Sequence, residues 1–551
     1  MTRDSLDRTT APNRRRTAWV LGGVIVCMLS VISVPASARS NTVVPAGPSR
    51  GGTLRYGIEA ETDTTNGYCL PAGQLAASGI QVVNAVYDTL VTINSKGEYV
   101  PYLAKAVEPN ETFTEWTITL REDVTFHDDT ALDADVVKLN LDTYRGKNPA
   151  ISAALSAFNF SDVSDVTVKD PLTVVVTTKR PWPAFPAFLF GSGRNGILAP
   201  AQLADQQTCA TNLLGTGPFK FVGWNPGESL EVVRNDSYWR KGLPYLDGIT
   251  FIPSPDPAQR VNGLLGGELD MIQSSGANQI IQLEKSEKDG EVNLVVSDRG
   301  AEVAYGMLNV SKPPFDDFIA RKAVAYAGDA EELNEIRNHG LFTIATGPFA
   351  PGSPAYIEDT GLYTHNLKKA KKLAAEYEAK HGEPISYEYL TVPDPEAVAL
   401  AALVQEQQER AGIEVSVRTI SQAELIGQAI GGQFQQLGFR NHPGGDPDSQ
   451  YVWWRSGSLV NFGRINDPVI DDLLDRGRVE TDPEKRIAIY KKLNRRFARQ
   501  LYNLWVWYTL WANATAPDVR GVAGPPLPDG NGKPFALFAG VIPVVGLSRT
   551  G

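Results

Sequence analysis

LGTGPFKFVGWNPGESLEVVRNDSYWRKGLPYLDGITFIPSPDPAQRVNGLLGGELDMI, residues 214–272, reads as a turn, two short strands, a polar aromatic turn, a third strand and a helix. Gly215-Thr216-Gly217-Pro218 supplies the backbone freedom of a tight turn. Phe219, Phe221, Leu230 and Val232 alternate with polar neighbours, the period of half-buried strands. Residues 248–252 form the next strand, which Pro253 to Pro257 ends. Val261, Leu264, Leu265 and Leu269 then recur at helical spacing.

Outward from this run the alternation continues. Gly51 to Gly57 opens a first strand, residues 77–90 carry a helical pattern, and Trp116, Ile118 and Leu120 alternate ahead of a helix start at Asp133-Ala134-Asp135. Residues 303–310 are apolar and strand-like, 318–327 helical, 368–379 a charged surface helix, 385–390 a strand, 397–410 a helix and 413–417 a strand. Residues 502–512 (YNLWVWYTLWA) read as one further aromatic strand. Strands alternating with helices over this length predict an α/β chain of more than one domain.

The chain has 551 residues, 42% hydrophobic and 21% charged, with a net charge of −11. Residues 1–38 contribute five Arg and two Asp, or +3, so the rest carries −14. That balance argues against a nucleic-acid partner, whose phosphates need basic surface. Arg14 to Arg16, an apolar run over 18–34 and Ala36-Ser37-Ala38 form the three parts of an export signal, cleaved after Ala38 or retained as an anchor. Cys27 follows Val26 inside the apolar run, the wrong setting for a lipid-bearing cysteine. Residues 39–50 are a Pro/Gly-containing linker. Outside the signal remain Cys69 and Cys209, which in an exported protein predict a disulfide, or else two separately buried thiols.

Two common catalytic patterns are absent from the sequence: no His-Glu-x-x-His or Ser-x-x-Lys occurs, and the five histidines are not paired at metal-ligand spacing. The expectation is a protein that is not an enzyme and needs no cofactor or metal.

The ordered segments RNDSYW (234–239), PYLDGI (244–249) and GELD (267–270), with GGTL at 51–54, PYLA at 101–104, LREDVTFHDD at 120–129 and PPFDD at 313–317, resemble the extracellular solute-binding proteins of ABC importers. The match is to the peptide/nickel-binding group, family 5, and spans roughly residues 50–525. It departs at Asp129, where the family usually has glycine.

This resemblance implies a two-lobed periplasmic-binding-protein-like fold hinged on two crossing strands. Lobe 1 would be residues 51–304 with a subdomain inserted at about 92–200. Lobe 2 would be 305–504, and 505–551 would return to lobe 1. It also implies a monomer that hands an oligopeptide or modified peptide to membrane-bound permease subunits, with another organic solute or a metal chelate or haem as the alternative. A secreted hydrolase and a surface receptor are the rival classes.

Candidate ligand residues follow from the same resemblance. Tyr68 and Gln74 sit in the loop after the first strand, Arg194 in a glycine-rich loop, Tyr305 and Asn309 on the first crossing strand, Trp505 and Trp507 on the second. The segment from Gly438 to Asp448 resembles the family loop that closes over the ligand. An acidic residue there pairs with the amino terminus of bound dipeptides, and Asn441 or His442 stands at that position here. Neither supplies an anionic partner for an ammonium group. Arg440 offers a fork for carboxylate or phosphate, while Asp446 and Asp448 either substitute as anions or cap turns. Of the adjacent Trp453 and Trp454, at most one can face the cleft. His442 would be the histidine ligand if the cargo were a metal complex.

Overall fold

The computed structural model describes residues 48–62, 67–73, 76–300, 302–441 and 445–550. The signal segment, most of the linker, Gln74 and His442 lie outside the described residues.

The run at 214–272 folds as its alternation requires. A Cβ on Gly215 or Gly217 would stand 2.1 or 2.5 Å from the Val86 backbone, so the turn admits only glycine there. Strands Phe219–Asn225 and Ser229–Arg234 pair as a hairpin, and Gly248–Pro253 joins antiparallel to the second. Helix Pro257–Leu265 starts at Asp256, whose side chain accepts from the Gln259 amide. It ends before Leu269, because Gly266 and Gly267 turn the chain first.

These strands belong to a seven-stranded sheet in the order Asn293–Ser297, Trp511–Thr515, Met271–Ser274, Thr53–Ile58, Gly248–Pro253, Ser229–Arg234, Phe219–Asn225. Thr53–Ile58 runs parallel to both of its neighbours. Residues 104–178 contain a separate four-stranded antiparallel sheet, Ala104–Pro109, Glu115–Leu120, Thr173–Thr178, Val163–Asp170. The expected helix start holds: the Asp133 carboxylate caps Ala134–Tyr144 by accepting from the Val136 amide. Asp129 takes φ 66°, the left-handed region that explains the family's glycine and that Asp tolerates.

His127 ties two sequence motifs together. Its Nδ1 accepts from the Gly215 amide and its Nε2 reaches the Gly217 carbonyl at 3.0 Å, so the neutral ring with a proton on Nε2 satisfies both. Burial drives its pKa from the ordinary 6.5 down to about 4. The unfolded chain therefore takes up a proton between these values that the folded chain refuses, and stability falls as pH falls through that window. Over the whole window the loss is about 3 kcal/mol. Urea midpoints of the wild type and of His127→Gln across pH 4–7 check this. The variant should start less stable at pH 7 and lose less on acidification; equal slopes would contradict it.

The second lobe is built on a six-stranded sheet, Thr343–Ile344, Asn503–Tyr508, Val303–Leu308, Gln436–Asn441, Ser386–Thr391, Glu414–Thr419. The chain passes from the first sheet to the second between Ser297 and Val303 and returns between Tyr508 and Trp511. The Thr509 amide bonds the Glu302 carbonyl at 2.9 Å, joining the two crossings. The single strand expected at 502–512 is thus two strands in different sheets. Trp505 and Trp507 pair with Tyr305 and Ala304 in the second sheet and precede the return to the first.

Cys69 and Cys209 are bridged, closing 140 residues of chain. The bridge fastens the loop after the first strand to the helix Gln206–Thr211. Among the described residues no helix is long and apolar enough to cross a membrane.

Candidate functional site

A cavity of about 1330 Å³ lies where the two sheets meet. The first lobe contributes Glu59, Arg260 and Ser275, the second Tyr305, Arg337, Arg440 and Trp507, and the crossings Glu302, Thr509 and Trp511. The volume exceeds the ~300–1,000 Å³ usual for drug-sized ligands.

Strand register explains how Arg440 reaches it. Arg440 pairs with Ala304, Gly438 with Gly306, and Ala304 in turn with Trp507, so these side chains share one face of the second sheet. Arg440 Nη1 lies 3.7 Å from Glu302 and donates to Ser275 Oγ of the other lobe at 3.3 Å, while its guanidinium covers the Trp511 ring. Protein encloses it, yet 47% of the side-chain surface remains open to the void. Burial opposes its charge, but Glu302, Glu59, Asp394 and Glu396 outweigh this and raise its pKa. The guanidinium is therefore committed to carboxylates of the protein, and the expectation that it selects an anionic solute group does not follow from its surroundings.

Glu302 is 5% exposed. Its Oε2 is buried without a hydrogen bond, although Arg440 and the Trp511 indole face the carboxylate. Burial raises its pKa, with Arg440 working against the shift. Glu59 uses Oε1 for Arg260 and for the Ser275 amide and hydroxyl. Arg337 bonds Glu396 and stacks over Trp507, leaving its own Nε unpartnered.

Unsatisfied polarity concentrates here. Among the described residues, nineteen buried side-chain nitrogen and oxygen atoms lack a hydrogen-bond partner, and ten of them belong to nine cavity-lining residues. Both amide atoms of Asn503, Gln436 Oε1, the Tyr305 hydroxyl and Thr509 Oγ1 are among the ten. Buried polar atoms are ordinarily bonded, so this clustering sets the cavity's surroundings apart from the rest of the described structure.

The structure separates the residues expected from sequence. Tyr305, Trp505, Trp507 and Arg440 line the cavity. Asn309 does not: it is fully buried and bonds the Gly432 and Phe434 carbonyls. Asn441 donates to Gln450, and Asp446 caps a short turn and pairs with Arg486. Asp448 is also structural, held by Arg478, Trp182 and Tyr490. Trp453 packs on Phe439 and Phe462, and Trp454 on Tyr305 and Phe497, so neither tryptophan reaches the void. Tyr68 packs edge-on against Trp224. Arg194 bonds the Gly191 carbonyl behind Glu302, and burial lowers its pKa to about 10. Sequence reading missed Glu59, Arg260, Glu302 and Arg337. The one available signal was a charge at the edge of an apolar run, as in Glu302 before 303–310.

Residues 98–462 match the family model for bacterial extracellular solute-binding proteins, family 5. The chain belongs to that family. Among curated relatives, the glutathione-binding protein GsiB of Pectobacterium atrosepticum is 27% identical over 423 residues, covering 74% of this chain and 80% of that protein. GsiB of Escherichia coli strain K12 is 26% identical over the same shares. Among solved structures, AgaA from A. tumefaciens R10 in complex with agropinic acid superposes with a TM-score of 0.79 at 25% identity, covering 91% of this chain and 99% of that one. The oligopeptide-binding protein AppA of Bacillus subtilis shares the fold, with a TM-score of 0.74 at 21% identity over 86% and 96% of the two chains. This family 5 protein is a solute-binding protein of the two-lobed kind, and its cavity occupies the junction of the lobes.

Proposed function

We propose that this protein captures a peptide or peptide-derived solute outside the membrane and delivers it unchanged to the permease of an ABC importer. The observation that carries the reading is the concentration of unpartnered donors and acceptors around one large cavity. A peptide presents alternating N–H and C=O groups, which suit a polar-rimmed cavity of this size. The curated relatives named for glutathione, itself a modified peptide, support the class.

Closure follows from where the cavity lies. A solute touching Glu59 and Ser275 on one side and Arg337 and Trp507 on the other bonds both lobes only when they are together, and this differential contact favours the closed form. Capture needs no chemical step. The cavity's histidine among the described residues, His365, uses Nδ1 on the Ala327 carbonyl. Among the described residues no group of three His, Cys, Asp or Glu side chains is placed to hold a metal. Export by the segment at 1–38, with cleavage after Ala38, and action as a monomer belong to the same proposal.

Trp505, Trp507 and Trp511 line the cavity, so occupancy should change intrinsic fluorescence. Titration with di- and tripeptides should give a saturable response at one site per chain. A response to non-peptide solutes alone would overturn the peptide reading.

A further inference from the structure

The charge lining the cavity is far from balanced. Nine Asp and Glu side chains face it against Arg260, Arg337 and Arg440, whereas the whole chain has 63 acidic residues to 52 Lys and Arg. The excess is therefore proportionally much greater at the cavity than over the chain. Each arginine has its own carboxylate: Arg260 with Glu59 at 3.2 Å, Arg337 with Glu396 at 2.6 Å, Arg440 with Glu302 at 3.7 Å. That leaves Glu61, Asp329, Glu331, Glu358, Asp359 and Asp394, six acidic side chains without an ion pair among the described residues. Glu61 accepts from the Trp224 indole and the Gly227 amide, and Asp329 and Asp394 cap helices. Those donors are neutral, so the charge stays.

At the inner end one carboxylate is incompletely met. Glu302 is nine-tenths buried, lines the cavity, and its Oε2 has no hydrogen bond, with Arg440 just beyond reach. An ammonium or guanidinium group entering the cavity would add to the compensation that Arg440 gives this buried carboxylate from 3.7 Å.

We propose that the solute is a cation: resting on the peptide reading above, a short peptide with Lys or Arg side chains, one basic group of which bonds Glu302. A cleft lined by one sign of charge raises the local concentration of the opposite charge and speeds its entry, in a salt-dependent way. The same excess repels acidic solutes. Glutathione, with two carboxylates and one ammonium, is anionic at neutral pH and on this account is a poor ligand here.

The test compares Ala-Lys-Ala, Ala-Glu-Ala, glutathione and spermidine as calorimetric probes of the full chain at low and high salt. Ala-Lys-Ala should bind at least about tenfold more tightly than Ala-Glu-Ala, with the gap narrowing as salt rises. Glu302→Gln should weaken Ala-Lys-Ala by about fivefold or more. The exposed pair Glu358→Gln/Asp359→Asn, which cannot disturb the core, should slow association at low salt and leave it unchanged at high salt. Equal or tighter binding of Ala-Glu-Ala or glutathione would overturn the charge inference while leaving the peptide reading intact. Binding of spermidine with no tripeptide bound would do the reverse. If neither cationic probe binds, the inference is wrong whatever the others do.

Discussion

Replacing Arg478 with Met should remove about 3–5 kcal/mol of stability. Arg478 is essentially buried and its Nε bonds Asp448 at 3.0 Å, while its Nη1 bonds Asp162 at 2.9 Å. The guanidinium also stacks on Tyr451 at 3.7 Å and faces the Trp182 ring. Asp448 receives the Trp182 indole and the Tyr490 hydroxyl besides, and Asp162 receives Arg180. Without Arg478 a fully buried carboxylate keeps only neutral donors, and the cost is that of an uncompensated charge rather than of one lost bond. Asp162 and Trp182 come from the segment around the four-stranded sheet, Asp448 and Arg478 from the second lobe, so the network fixes one against the other. Removing the orphaned charge as well should recover part of the loss. The double variant Arg478→Met/Asp448→Asn should therefore be more stable than the single one in urea unfolding. A single variant costing less than about 1 kcal/mol would show that the pair is worth no more than a surface bridge.

Trp454→Ala should cost about 3–5 kcal/mol of stability and change the affinity of the remaining folded protein only through the loosened Tyr305 and Trp505 rings, by less than about tenfold. The side chain is 2% exposed, packs on Tyr305, Phe497 and Trp505, and donates from its indole to Gln450 at 2.8 Å. Truncation opens a void on the face of the second sheet that is packed against helix Pro483–Gln500, opposite the face that carries Arg440. Chemical unfolding and a peptide titration of the same sample separate the two effects. Unaltered stability with abolished binding would instead place Trp454 at the ligand.

How much of this was legible in the sequence follows the physics of each element. Residues 214–272 announced their strands because one face is buried and the period of two survives in the side chains. Asp133 announced a helix because capping is a local bond. The site was harder. The second sheet is covered by helices on both faces, so both faces are apolar and alternation cannot say which one meets a cavity. Tyr305 and Trp454, Arg440 and Asn441 are equally plausible by composition, and only register distinguishes them. The aromatic run at 502–512 hid its break at Thr509-Leu510 because apolar side chains continue through the crossing. Glu59, Arg260, Glu302 and Arg337 are scattered over the chain and meet only through the fold. The pairing of Cys69 with Cys209 was readable because only two cysteines remain beyond the signal segment.

Mass spectrometry of the purified protein decides whether it captures an intact solute at the junction of the lobes. Native spectra followed by denaturing release should yield one small peptide-like compound per chain, with a mass that does not change on prolonged incubation with the protein. A compound that is converted during incubation would make the protein an enzyme, and a released metal complex or haem would replace the peptide reading with the chelate one.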